Sequence, residues 1–267
     1  MTASASSPPL AAADFDRLAA YYDLEHEDIA DDLPLYTEFA RAAPGPVLEL
    51  ACGTGRVLSA LRQAEQPVVG LDLSKVMLAH ARRRMGQDRA PIWLLRGDMR
   101  AFRFRRQFGL IVVAFNSLMH LETQQEQQQA LAGIARQLHP DGRAIVDLFN
   151  PDTTLDESKE GQLFLHCLHY LPQRDAQLLH FHSVRTDRAM QVVSVHSYYD
   201  ETAADGSVRR LVAPYRLRYL TRFEVELLWR QAGLQIEAIY GDYELGPFQE
   251  DSQRLLVVAR RQPPSDA

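Results

Sequence analysis

Between Val47 and Phe149, short and predominantly apolar runs alternate with segments of helical period, and few folds accommodate that alternation. Val47–Leu50, Pro67–Asp72, Pro91–Leu95, Phe108–Phe115 and Gly142–Phe149 read as strands. Helical spacing runs through Val57, Leu58 and Leu61, through Met77, Leu78, Ala81 and Met85, and through Leu131, Ile134, Ala135 and Leu138. Ser74 stands where a helix N-cap belongs, and Gly86 where a left-handed C-terminal residue belongs. Strands apolar on both faces belong in a parallel sheet covered by helices on both sides, so the pattern predicts a doubly wound α/β fold.

The period changes after Asn150-Pro151. From about Leu163 to Tyr219 it becomes strand-like, with Leu178–Val184, Met190–Tyr198 and Val208–Tyr219 as antiparallel strands and Ala204-Asp205-Gly206-Ser207 as a hairpin turn. The α/β pattern resumes with Thr221-Arg-Phe-Glu224, which reads as a capping box, and continues into strands at Leu234–Tyr240 and Leu255–Ala259. The expected organisation is therefore a tail with two lid helices over the mouth of the sheet (1–43), one α/β domain (44–154 and 221–261) and an antiparallel insertion (155–220). That insertion walls an acceptor site or pairs two copies of the chain as a homodimer.

Composition narrows the function. Hydrophobic residues make up 46% and charged residues 24%, which excludes disordered and collagen-like chains, and the formal charge of −6 argues against a nucleic-acid-binding role. The longest apolar run, Leu110–Phe115, is far short of the roughly 20 residues of a membrane span. Met1–Asp14 has neither the basic nor the apolar region of a secretory signal, so a cytoplasmic location is expected. Two cysteines, Cys52 and Cys167, are too few for a disulfide framework or a four-thiolate zinc site.

Val47-Leu-Glu-Leu-Ala-Cys-Gly-Thr-Gly-Arg-Val57 carries the chemistry. A strand ends, Gly53 and Gly55 let the backbone turn tightly with no side chain in the way of a ligand, and a helix begins. Asp72, closing the next strand, is placed to accept hydrogen bonds from a ribose diol. A dinucleotide fingerprint asks for a third glycine where this chain has Leu58, which weakens a nicotinamide reading. Cys52 reads as a small buried thiol beside that turn.

Glu49-Leu-Ala-Cys-Gly-Thr-Gly55 resembles motif I of the class I S-adenosylmethionine (SAM) dependent methyltransferases, and the later order of Asp72, Gly97-Asp98-Met99, Asn116 and Leu138-His-Pro-Asp-Gly142 agrees with it. The resemblance implies a Rossmann-like, seven-stranded methyltransferase sheet with a reversed last strand, the antiparallel insertion preceding the last helix, and SAM as cofactor. It implies Gly53 and Gly55 at the methionine part of SAM, Glu49 near its amino group, Asp72 at the ribose, Asp98 and Met99 at the adenine, and Asn116 near the sulfonium. Tyr21-Tyr22-Asp23, His120 and the insertion resemble small-molecule N-methyltransferases, with the amino-sugar N,N-dimethyltransferases as the nearest group. Methyl transfer to a small-molecule acceptor at nitrogen is then the expected activity. An RNA or protein methyltransferase and a non-catalytic SAM-binding module are the alternatives.

His120 has two readings, as a catalytic or acceptor-orienting group and as a packed histidine at a helix entry. Tyr21 and Tyr22 either close the site or pack a lid helix. His180 and His182 share one face of a strand, but spacing supplies no acid or thiol partner, so no metal ligand set is expected. The acidic run from Asp23 to Asp32 reads as a solvated lid, and the nine arginines between Arg82 and Arg106 as a solvated face.

Overall fold

The computed structural model describes residues 12–26, 28–86 and 92–263. The chain opens with helices α1 (Ala12–His26) and α2 (Leu33–Arg41). It then alternates β1 (Val47–Leu50), α3 (Arg56–Leu61), β2 (Val68–Asp72), α4 (Lys75–Met85), β3 (Ile92–Arg96), β4 (Phe108–Val113), α5 (Gln124–Gln137) and β5 (Leu138–Phe149). A short helix α6 (Pro151–Thr154) leads to four strands: β6 (Phe164–Leu171), β7 (Ala176–Asp187), β8 (Val192–Ala203) and β9 (Val208–Arg218). Helix α7 (Arg222–Gln231), β10 (Leu234–Tyr240) and β11 (Arg254–Arg261) follow.

The first sheet has the order β10-β11-β5-β4-β1-β2-β3, and the second β6-β7-β8-β9. Within the first, β11 runs antiparallel to both β5 and β10 while the remaining pairs are parallel. This is the doubly wound seven-stranded sheet with a reversed last strand, accompanied by an antiparallel insertion before the last helix. Every residue of β4 and of β1 is buried, as expected for central strands covered on both faces. One face packs against α5 and α7 through Leu131, Ile134, Leu228 and Trp229. The other packs against α2, α3 and α4 through Tyr36, Leu58, Leu61 and Leu78. Helix α2 thus lies on the flank of the sheet beside α3 instead of over its mouth, because its apolar stripe of Leu35, Tyr36 and Ala40 is buried against β1 and β4.

Local signals met mixed fates. Ser74 Oγ accepts from the Met77 amide 3.0 Å away and caps α4, and Gly86 at its end has φ +62°. The capping box expected at Thr221–Glu224 does not close, since Thr221 makes no side-chain cap bond and Glu224 turns to Arg218, Gln124 and Gln191. A complete box forms instead at Thr123 and Glu126, opening α5. The third glycine missing from the helix is matched from the strand side: a Cβ on Gly70 of β2 would lie 2.6 Å from Leu58 Cδ1 and 2.9 Å from Cys52 Sγ. Close approach of helix and sheet is preserved, with the small residue on the opposite partner.

Candidate functional site

The cleft lies at the carboxyl ends of β1, β2 and β4, where doubly wound sheets bind ligands. At the end of β1 three residues take positive φ: Ala51 (+55°), Gly53 (+54°) and Gly55 (+82°). A Cβ on Gly53 would meet nothing within 4 Å, so its bare backbone faces open space. Gly55 serves packing, since a Cβ there would press on Met85 and Ala81 of α4 at 3.0 and 3.2 Å. The Asp72 carboxylate ties loop to strand, accepting from the Gly53 amide at 2.8 Å and the Ser74 amide at 2.7 Å. Burial raises its pKa, against the lowering effect of those two amides.

Ala51, Gly53, Leu71, Asp72, Met77, Gly97, Asp98, Met99, Arg100, Phe115 and His120 line the cleft, and Phe15 and Tyr22 of α1 cover it. Four of the expected site residues lie elsewhere. Glu49 sits beneath the cleft, 3% exposed, where burial above all holds its carboxyl well above the usual range. Gly55 is turned to α4. Asn116 has φ +64°, and its Oδ1 accepts from the Phe149 amide at 2.7 Å and Arg254 Nη2 at 3.1 Å, so its side chain locks the end of β4 to β5 and β11. Tyr21 faces the second sheet, stacked on Tyr199 at 5.1 Å with its hydroxyl donating to Glu201 Oε2 at 3.1 Å. Adjacent tyrosines on one helix therefore address two different sheets, as the roughly 100° turn between neighbouring helical residues requires.

His120 ends the turn Ser117–His120 after β4. Its ring meets Phe15 edge-on at 5.1 Å and lies 5.9 Å from the ring of Tyr215. Burial lowers its pKa to about 4, and its Nδ1 is buried without a hydrogen-bond partner. At neutral pH it is an uncharged imidazole with a free polar atom at the edge of the cleft. Tyr22, whose pKa burial raises, stacks on His26 at 4.1 Å.

Sequence reasoning missed the polar hub behind the cleft. Asp147, wholly buried in β5, accepts from Arg254 Nε at 2.8 Å, the Tyr243 hydroxyl at 3.0 Å, the Tyr36 hydroxyl at 3.2 Å and the Phe115 amide at 3.0 Å. The signal was present as an acid inside the apolar run Ala144–Phe149. Arg100 was likewise overlooked: it clamps Asp98 with Nη2 2.6 Å from Oδ2 and also binds Glu126. Its hydrogen bonds hold the Asp98 carboxyl below the usual range. The acidic run is only partly a solvated face: Asp28 and Asp31 are exposed, but three of its acids are engaged. Asp32 forms a two-point pair with Arg56 at 2.6 Å for each bond, Asp23 binds Arg84 at 2.7 Å, and Glu25 meets His180. Glu27 and Arg89 lie outside the described residues. Cys52 is a buried thiol with its pKa pushed up by desolvation.

The cleft thus offers an open glycine backbone, a strand-end carboxylate, apolar walls and two buried oxygens without partners, Glu49 Oε2 and Thr54 Oγ1, beneath the loop. Such a donor set fits a cationic nucleoside-bearing ligand. A family model described as a methyltransferase domain matches residues 47–142. The chain is also 32% identical over 225 residues, 82% of its length and 86% of the relative's, to the dTDP-3-amino-3,4,6-trideoxy-alpha-D-glucopyranose N,N-dimethyltransferase of Streptomyces venezuelae. Fold, site and relatives agree, and the chain belongs to the SAM-dependent methyltransferases of class I. Within that class it is 28% identical to the cypemycin N-terminal methyltransferase of a Streptomyces species, over 81% of this chain and 83% of that one. Its fold matches the CcbJ methyltransferase of Streptomyces caelestis with a TM-score of 0.81 and 26% identity, covering 94% of this chain and 98% of that one. Among the described residues no helix is long and apolar enough to cross a membrane.

Proposed function

We propose that the protein methylates the amine of a small-molecule acceptor, an amino sugar carried on a nucleotide. The observation that carries this reading is the 32% identity to an amino-sugar N,N-dimethyltransferase across most of both chains. SAM, when bound, supplies a methyl group already activated by its sulfonium. The bare Gly53 backbone would admit the methionine part, with Gly55 setting the loop, and the buried Glu49 carboxyl beneath would meet its ammonium group. Asp72 holds the ribose hydroxyls, and Asp98 and Met99 border the adenine. Asn116 acts by fixing the end of β4 near the sulfonium.

The protein's own task is to hold an uncharged amine in line with the methyl group and away from water. Phe15 and Tyr22 of α1 shut the cleft on one side. The His120 imidazole, neutral because it is buried, accepts a hydrogen bond from the acceptor N–H and aims the nitrogen lone pair. A base with a pKa of about 4 is too weak to carry the amine proton away, so His120 orients. Tyr21 supports this wall through Tyr199. Residues 155–220 serve as the acceptor-side insertion beside the cofactor-binding part (44–154 and 221–261). A second copy pairs through their outer face, where Leu168, Tyr170 and Val212 are exposed. A cytoplasmic location suits such an enzyme.

The test is incubation with SAM and a panel of nucleotide-linked amino sugars, with an α-amino peptide for comparison, followed by mass spectrometry. One or two added methyl groups on the sugar amine, with matching S-adenosylhomocysteine, is the expected result. Methylation of the peptide alone, or S-adenosylhomocysteine from neither, overturns the acceptor assignment. Light scattering of Leu168→Arg tests the pairing.

A further inference from the structure

The lid helix brings an acid to a place where the second sheet has gathered histidines and a thiol. On the inner face of that sheet, Cys167 of β6 stands in register with His180 of β7, and His180 with Tyr199 of β8. Glu25, one turn beyond Tyr21 on α1, reaches them. Its Oε1 lies 2.6 Å from His180 Nδ1, and each side chain is only 7% exposed. Neither atom has a hydrogen-bond partner, and His180 Nε2 has none either. Two buried polar atoms this close, neither satisfied by a hydrogen bond, leave ligand atoms that an ion could complete.

One ligand atom each from Glu25, Cys167 and His180 falls within 4.8 Å of the others. The surroundings complete a second layer. The Tyr199 hydroxyl donates to the other Glu25 oxygen at 3.2 Å, and its ring stacks on His180 at 4.4 Å, which fixes both groups. The rings of His166 and His182 stand 5.1 and 6.1 Å from that of His180.

We propose that Glu25, Cys167 and His180 form a divalent metal site of the zinc type, with the His166 imidazole or a water as fourth ligand. A thiolate, an imidazole and a carboxylate together select against magnesium and calcium, which prefer oxygen alone, and suit tetrahedral Zn2+. The site needs nothing from SAM, and none of its three residues lines the cleft. Its consequence is mechanical, because an ion there staples the lid helix α1 to β6 and β7. Metal binding must also displace the thiol proton of Cys167, whose pKa is raised by burial and by Glu25.

The probe is Co2+, followed by displacement with Zn2+, on the full chain after treatment with a chelator. Near-stoichiometric uptake, visible bands of tetrahedral Co2+ and a near-ultraviolet thiolate-to-metal band are expected. The thiolate band should vanish in Cys167→Ser, and affinity should fall by at least about 100-fold in Cys167→Ser and His180→Gln. Zn2+ should raise the melting temperature of the wild type and not that of Cys167→Ser. Cys167 is only partly buried, so its serine variant folds, as circular dichroism without metal will verify. Absence of stoichiometric uptake by the wild type overturns the site. So does a thiolate band that survives in Cys167→Ser, which would place the ion elsewhere.

Discussion

The two sheets solve opposite problems with the same backbone. Central strands of the first are buried on both faces, so a polar group there is either densely partnered, as Asp147 is by Arg254, Tyr36 and Tyr243, or lies beneath the cleft, as the unpartnered Glu49 oxygen of β1 does. Strands of the second alternate, with an inner face packed on α1 and an outer face in contact with water. Charges on that outer face, such as Asp200 and Arg210, pair at 2.6 Å with the arginine side chain half exposed. The contrast teaches that the first sheet concentrates stability and cofactor chemistry at one buried edge. The second leaves a water-facing surface whose side chains can change without disturbing the buried core.

Matched ablations give the sharpest way to break this contrast. Asp147→Ala leaves Arg254 buried without its carboxylate, and should cost about 3–5 kcal/mol in chemical denaturation. A loss below about 1 kcal/mol would mean that the hub is hydrated and the distinction between the sheets is false. Next in size is His120→Ala, expected to lower single-turnover methyl transfer by about 100-fold, near 2.7 kcal/mol, with SAM affinity unchanged.

The pH dependence of that effect follows from its sign. Burial depresses the His120 pKa from 6.5 to about 4, so the active neutral form persists through neutral pH and is lost only as pH falls toward 4. The ratio of wild-type to mutant rates should therefore stay constant above pH 6.5, fall to about half near pH 4 and head toward one only about two pH units lower. A limb close to pH 6.5 would show an open, hydrated histidine. The same depression means that the unfolded chain takes up this proton first, so stability declines across that same interval.

Asp72→Ala should weaken SAM binding by about 1–3 kcal/mol in calorimetry through loss of ribose hydrogen bonds, and equal affinity would remove Asp72 from the site. Smallest of all, Asp200→Ala should change stability by less than about 1 kcal/mol, as befits an ion pair with one exposed partner. A cost comparable to that of Asp147→Ala would erase the difference between the faces.

Legibility in the sequence followed the same division. Continuous apolar runs such as Leu110–Val113 and the glycines at 53 and 55 announce the doubly wound sheet and its cleft, because their signals are local. Strand order beyond them came from resemblance. The roles of Tyr21 and Tyr22 were not separable by sequence, since which side of α1 meets which sheet is a tertiary fact. Glu25, Cys167 and His180 span more than 150 positions, and only the docking of α1 on β6 and β7 unites them. Thr221–Glu224 had the letters of a capping box, but Arg218 competes for the same carboxylate at 2.6 Å and wins.

The exchange of small and large residues between Leu58 and Gly70 reaches into the mutational history open to this chain. With Leu58 in place, any side chain at position 70 collides at 2.6 Å, and with a glycine at both positions the seam between α3 and β2 would be underfilled. The two sites form an epistatic pair in which the order of replacement matters. Gly70→Ala alone should be strongly damaging, whereas the same change made after Leu58→Ala should be milder but still costly, since Cys52 Sγ would remain 2.9 Å from the new Cβ, a non-additivity that a double-mutant cycle would register.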